Sequence, residues 1–192
     1  MEVQPLALTF DDGPDPSVTP RLLELLGQAA ASATFFPIAP RAAEHPRLIE
    51  RILAAGHSVG LHCDRHVRHS ARDLRWCRLD TERALSRLRR LGVAPTLWRT
   101  PWGDRAPWTG QVAAEHGLRL VGWSVDTHDW RGDSAAAMFA ATRASLNAGA
   151  IVLAHDGIGP GAHRRSAAQT LAYTELVIDH ARGQGLALRA LR

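Results

Sequence analysis

Short apolar runs alternate with longer segments of helical period along the whole chain, and this alternation limits the folds open to it. Leu6–Phe10 reads as a strand stopped by Asp11-Asp12-Gly13-Pro14. A helix follows from Thr19-Pro20 to Gly27, with Leu22, Leu23, Leu25 and Leu26. Ala33–Phe36 is a second strand, Pro46 to Ala55 a helix, and Ser58–Leu61 a third strand. A long helix spans Asp73 to Leu91, closed by Gly92. Thr96–Trp98 is a short strand, Pro107 to His116 a helix and Leu118–Val125 a strand. Ser134–Asn147 is a helix, Ala150–Ala154 a strand, Ala167–Arg182 a helix and Leu186–Leu191 the last strand.

Strands that alternate with helices pair in parallel under a helical cover. Seven of them suit a closed or nearly closed α/β barrel. The rival, an open doubly wound sheet, lacks a Gly-x-Gly-x-x-Gly after any strand. No linker, repeat or low-complexity segment divides residues 1–192, so one domain is expected. A chain of 192 residues buries a large core unaided, so a metal site in it reads first as chemistry. Two cysteines, Cys63 and Cys77, are too few for a disulfide framework, though one bridge between them is open. Met1-Glu2-Val3-Gln4-Pro5 shows no signal-peptide pattern, and no apolar run reaches membrane-helix length. The expectation is a cytoplasmic protein without membrane insertion, or a secreted one if the chain is a trimmed mature form.

All 23 basic residues are arginine and the net charge is +4. Their densest stretch, Arg68 to Arg90, is interleaved with Asp73, Asp80 and Glu82, so it reads as a solvated helix face and no nucleic-acid partner is expected.

Barrel enzymes keep their chemistry at the C-terminal ends of the strands. The reactive residues of this chain fall there. Asp11-Asp12 ends the first strand, and His62, with His66 four residues on, ends the third. Arg99 follows Trp98, Asp126 and Asp129-Trp130 follow the Leu118 strand, and His155-Asp156 follows Ala154. Asp12, His62 and His66 make a donor set that suits a borderline divalent ion with open coordination positions. The His-x-x-x-His spacing puts both rings on one side if the loop forms a helical turn. Two adjacent carboxylates repel, and a cation would give a reason to keep them together.

In order, Thr9-Phe10-Asp11-Asp12-Gly13-Pro14, His62-x-x-x-His66, Arg99-Thr100-Pro101-Trp102-Gly103, Asp126-Thr127-His128-Asp129-Trp130 and Leu153-Ala154-His155 resemble the five motifs of the polysaccharide deacetylases of NodB homology, carbohydrate esterase family 4. The resemblance implies a distorted (β/α) barrel of about seven parallel strands. It also implies a hydrolase that removes acetyl groups, above all N-acetyl groups, from an amino sugar of an oligo- or polysaccharide. Carried over by residue, Asp12, His62 and His66 hold the metal, most often Zn²⁺, with Co²⁺, Ni²⁺ or Mn²⁺ as substitutes. Asp11 is the catalytic base and Arg99 orients it. Asp129 tunes His155, the catalytic acid. Trp102, Trp130 and Leu153 bind substrate, Trp102 also through its backbone N–H at the oxyanion.

Bland roles stand beside these. Asp11-Asp12 could cap a turn, Arg99 form a surface pair, Asp129-Trp130 a turn with a core aromatic, and His155 sit satisfied in the core. Asp126 reads as a strand-end cap. His57, His69, His128 and His163 read as surface or supporting groups, Trp76, Trp98 and Trp123 as core. Cys63 stands where the family carries Ser or Thr, and Trp102 where Tyr or Phe is usual. The flexible Gly157–Arg165 segment is expected over the cleft, with Arg164 or Arg165 meeting an acidic group of the substrate. The alternatives in function are a noncatalytic metal-containing carbohydrate binder and a deacetylase of a small glycosylated metabolite.

Overall fold

The structure, a computed structural model, describes residues 4–192. The reading of Met1–Val3 as the start of a leaderless chain lies outside them.

Seven strands form. They are β1 (Ala7–Asp11), β2 (Thr34–Phe36), β3 (Ser58–Val59), β4 (Leu97–Trp98), β5 (Arg119–Leu120), β6 (Val125–Asp126) and β7 (Ile151–His155). Among the described residues seven α-helices accompany them: α1 (Thr19–Gln28), α2 (Ala39–Glu44), α3 (Pro46–Ala54), α4 (Leu74–Arg90), α5 (Thr109–Glu115), α6 (Ala135–Thr142) and α7 (Ala168–Gly183). Every strand pairing is parallel, in the order β3-β2-β1-β7-β6, with β4-β5 as a separate pair. A parallel bridge from Leu61 to Trp98 joins β3 to β4. The result is a curved α/β sheet of seven short strands, a distorted barrel that stays open between β5 and β6.

β1 and β7 form the centre. Both are apolar runs buried on both faces, as expected of strands covered by helices. Leu6, Leu8 and Phe10 join Leu22, Leu26, Ile49, Ile52, Leu85, Leu88, Val152 and Val177 in one continuous core. Asp73 caps α4 by accepting from the Trp76 N–H at 2.7 Å.

Three expectations change. The strand expected over Leu118–Val125 breaks into β5 and β6, because Val121 N–H turns to Trp98 O while Ser124 N–H turns to Ile151 O. The two halves thus serve opposite sides of the opening. Leu186–Leu191 makes only a bridge from Leu188 to Leu6 and runs across the N-terminal end of the sheet. The Ser134–Asn147 helix ends at Thr142 and tightens to a short 3₁₀ turn over Arg143–Ser145. Helix α2 was not expected, and it carries Pro40. It sits in the first turn, where its missing N–H does no harm.

Cys63 and Cys77 are both free and buried. No helix among the described residues is long and apolar enough to cross a membrane. The arginines of α4 lie on a solvated face, where Arg78 pairs with Glu115 and Arg83, Arg89 and Arg90 are exposed.

Candidate active site

The C-terminal ends of β1, β7, β3 and β4 open into one cleft of about 240 Å³. Asp11, Asp12, His62, His66, Trp102, Trp123, Trp130, Leu153 and His155 all line it.

Successive side chains of a strand point to opposite faces, so Asp11 and Asp12 would part if β1 simply continued. Asp12 instead takes φ of 72°, the left-handed region that a residue with a Cβ enters rarely. That turn brings both carboxylates to the same cleft.

Asp12 Oδ1 lies 3.4 Å from His62 Nε2 and 3.3 Å from His66 Nε2. The donor atoms of the three residues fall within 4.8 Å of one another. Donors held about 2.0–2.1 Å from a tetrahedral ion stand roughly 3.3 Å apart, so the spacing fits a divalent metal. The unpartnered atoms fit it too. Asp12 Oδ1 and His62 Nε2 are buried without a hydrogen bond, an arrangement that burial alone makes costly. His62 Nδ1–H donates to Arg99 O at 2.7 Å, which fixes the tautomer and leaves Nε2 free. Burial opposes charge on Asp12, but the two imidazoles outweigh it and hold its carboxyl well below the ordinary range.

The segment from His62 to His66 is not helical, so a helical turn is not what brings the two rings together. The rings meet because the loop is pinned. Cys63 O accepts from Ala39 N–H, and His62 O accepts from Trp98 Nε1–H at 3.0 Å. Cys63 is no ligand. Its thiol is buried and lies outside the Asp12–His62–His66 set, and burial pushes its pKa well above the usual value.

Arg99 is fully buried. Its Nη1 donates to Asp11 Oδ1 at 3.0 Å and to Thr9 Oγ1 at 2.6 Å, and its Nη2 donates to Gly122 O at 2.9 Å. Phe36 and Trp123 flank its guanidinium at 4.5 and 5.6 Å. Trp123 is therefore a wall of the site and not core. Trp98 is core, while Trp76 is only partly buried and Trp108 packs on the core away from the cleft.

Across the mouth, His155 Nδ1–H donates to Asp129 Oδ1 at 2.6 Å, and His155 N–H donates to Asp129 Oδ2 at 3.0 Å. Burial works against a charged His155. Asp129, with help from Asp11 and Asp12, outweighs it and pushes the pKa up to about 9. Asp129 is itself buried, yet His155 and Arg164 hold it below the ordinary range.

Arg164 does not reach toward substrate as expected. It is buried, donates to Asp129 Oδ2 at 2.8 Å, His155 O at 2.9 Å and Gly157 O at 3.0 Å, and meets the Thr170 hydroxyl. Arg165 is exposed. The segment after His155 does cross the cleft, and it does so at close range. A Cβ on Gly159 would fall 1.9 Å from Asp12 Oδ2.

Trp102, with φ of 55°, is half exposed on the rim, edge-on to His66 at 4.1 Å and under Arg68 at 4.6 Å. Trp130 stands opposite, edge-on to His163 at 5.6 Å, and Leu153 is buried at the cleft floor. Asp126 Oδ1 accepts from His128 N–H at 2.8 Å, a strand-end turn. His57 and His69 are buried core groups and not surface ones. His57 Nδ1 accepts from Ala33 N–H, His69 bonds the Thr109 hydroxyl, and burial lowers both pKa values, His69 to about 4.

Several supports escaped the sequence. Arg41 donates to Asp12 O at 2.7 Å and Ile158 O at 2.9 Å, tying the Asp12 turn to the loop above it. Asp156, buried and hydrogen-bonded by Thr19 Oγ1 at 2.6 Å, has its pKa pushed up to about 7 by burial. Arg41 falls in no motif that would announce it, and Asp156, though it stands at the strand end beside His155, has no pattern that shows its burial against Thr19.

Residues 1–121 match the family described as polysaccharide deacetylase. A chitooligosaccharide deacetylase of Sinorhizobium fredii is 36% identical over 191 residues, covering 96% of this chain and 88% of that one. The peptidoglycan-N-acetylglucosamine deacetylase PgdA of Listeria monocytogenes is 39% identical over 154 residues, covering 79% of this chain. The alignment takes in only 32% of that longer protein. Among solved structures, a family 4 carbohydrate esterase from Streptomyces lividans in complex with acetate superposes with a TM-score of 0.86 at 30% identity, covering 97% of this chain and 93% of its own.

Proposed function

Because this chain belongs to the polysaccharide deacetylase family, we propose that it is a metal-dependent hydrolase that removes N-acetyl groups from an amino sugar of an oligo- or polysaccharide. One observation carries the reading. Three donors that could hold a cation, Asp12, His62 and His66, share a cleft with two tethered ionisable groups, Asp11 and His155.

Asp12, His62 and His66 would hold the ion, and the donor set favours Zn²⁺. Such an ion polarises the acetyl carbonyl and acidifies water. Asp11, held in place by Arg99, takes a proton from the attacking water as its oxygen bonds to the acetyl carbon. The Trp102 backbone N–H, on the rim of the same cleft, donates to the developing oxyanion; a donor of this kind is worth about 2.7–4 kcal/mol. His155, with Nδ1–H committed to Asp129, delivers its Nε2 proton to the departing nitrogen. The C–N bond breaks, and acetate and the free amine leave. Leu153 and Trp130 offer an apolar wall for the acetyl methyl, and the indole faces of Trp102 and Trp130 suit sugar rings. The intact Asp11–Arg99 and Asp129–His155 pairs weigh against a role confined to sugar binding.

Acetate release from N-acetylglucosamine oligomers and peptidoglycan fragments, by metal-loaded and chelated protein, tests the reading. Metal-dependent release on at least one glycan is expected. Binding of those glycans without acetate release from any would defeat it.

A further inference from the structure

Two backbone amides between the paired histidines, those of Asp64 and Arg65, point away from the cleft and into α4. Asp64 N–H donates to Asp80 Oδ2 at 3.1 Å, and Arg65 N–H donates to Asp80 Oδ1 at 2.9 Å. Asp80 is 6% exposed. Seven residues along the same helix, Arg87 Nε donates to Asp64 Oδ1 at 2.7 Å. Two side chains of helix α4, Asp80 and Arg87, thus grip the middle of the loop.

We infer that Asp80 is a positioning residue for the metal site, holding the His62–His66 loop so that both imidazoles face Asp12 before any ion arrives. The inference rests on the metal-site reading of Asp12, His62 and His66.

Geometry and chemistry both support this. Only three residues separate the histidines, so a loop fixed at Asp64 and Arg65 has no slack at either end. The His62 end of the loop is also pinned by Ala39 N–H on Cys63 O and Trp98 Nε1–H on His62 O, so Asp80 supplies the anchor next to His66. An ionised carboxylate is acceptor-only and offers one oxygen to each of two adjacent N–H groups. Asparagine would offer one oxygen and turn an NH₂ against the second N–H. That leaves a buried donor without a partner, and the loop would open to reach water. The acceptors inside the loop do not substitute, since Cys63 carries only a weakly hydrogen-bonding thiol and the Asp64 carboxylate is turned to Arg87. Groups that orient metal ligands from behind typically govern affinity by about 10–100-fold when removed.

The test is titration of the full, metal-free chain with Co²⁺ against a competing chelator, followed by the visible absorption of the bound ion. Asp80→Asn should keep its far-UV circular dichroism and melt as a single transition, yet bind Co²⁺ about 10–100-fold more weakly than wild type. Asp80→Glu, which keeps both acceptor oxygens, should recover part of that loss. A general loss of stability would lower the melting temperature without changing the Co²⁺ affinity measured well below it. Equal affinity in Asp80→Asn and wild type overturns the inference and leaves the metal-site reading standing. A wild-type chain that takes up no Co²⁺ overturns both. If Asp80→Asn does not fold, amide hydrogen exchange of the metal-free wild type decides. Asp64 and Arg65 amides protected like those of α4 support the inference, and amides exchanging like open loop overturn it.

Discussion

Asp11 and His155 are register partners across the parallel strands β1 and β7. Partners in adjacent parallel strands present their side chains to the same side of the sheet, so the carboxylate and the imidazole reach the cleft together. Each is then tethered from outside the pair, Asp11 by Arg99 at 3.0 Å and His155 by Asp129 at 2.6 Å. The central strand pair of the fold therefore sets the spacing between the two proposed proton carriers, and the loops adjust only what surrounds them.

Asp11→Asn should separate base chemistry from metal binding. Asparagine keeps the shape and still accepts from Arg99, but cannot take a proton at neutral pH. Acetate release should fall about 10²–10⁴-fold. The chain should retain one metal equivalent, because the ligating carboxylate is that of Asp12. Metal content by elemental analysis, read beside acetate release, checks this. Loss of the ion with the activity would mean that Asp11 is itself a ligand.

Asp129→Asn should act through His155. In the wild type the imidazolium is favoured up to about pH 9, above the ordinary value of 6.5. The stability contributed by the Asp129–His155 pair is then full below pH 6.5 and is lost as pH rises through about 9. Removing the Asp129 charge should move the alkaline limb of kcat to lower pH. The melting-temperature gap between wild type and variant should be widest below pH 6.5 and shrink toward pH 9. A pH–rate profile with an unmoved alkaline limb would disconnect Asp129 from the acid.

Much of the site was legible because its residues end strands, and the alternation of β and α segments says where strands end. What stayed hidden was conformation that no pattern encodes. The positive φ of Asp12 turns two neighbouring carboxylates into one cleft, yet Asp-Asp-Gly-Pro announces only a turn. Arg164 was singled out as a cation near the cleft, and its burial inverts that role. Long side chains are read as exposed by default, and only the position of Asp129 shows that one is needed inside. Asp80 lies in an arginine-rich helix among other charges, where nothing separates a buried acid from a solvated one. The burial of His57 and His69, read as surface or supporting groups, stays hidden for the same reason.

Arg164→Ala should therefore change turnover more than substrate affinity. The guanidinium joins Asp129, His155 O and Gly157 O, so its loss leaves Asp129 partly unpaired in the interior. Breaking one side of a buried ion pair costs about 3–5 kcal/mol of stability. A lower melting temperature and a fall in kcat with KM near wild type are expected. Arg165→Ala, on the exposed neighbour, should leave both unchanged. A rise in KM alone for Arg164→Ala would restore the substrate-contact role.

Gly159→Ala tests how closely the loop over the cleft approaches the proposed ion. The added methyl would come within 1.9 Å of Asp12 Oδ2 and 2.7 Å of its Cγ. Either the loop lifts, pulling on the Arg41 bridge between Ile158 O and Asp12 O, or the Asp12 carboxylate rotates away from His62 and His66. Both routes disturb the same ligand, so metal affinity should weaken by about 10–100-fold, the scale seen when ligand orientation is disturbed. Gly161→Ala is the control, because no atom lies near the place its Cβ would take. Its φ of 86° strains the backbone, so some thermal stability goes while metal affinity stays. Calorimetric metal titration of the two variants should separate them. Equal affinities would mean that the loop yields without disturbing Asp12, and that the space above the ion is set by substrate and not by Gly159.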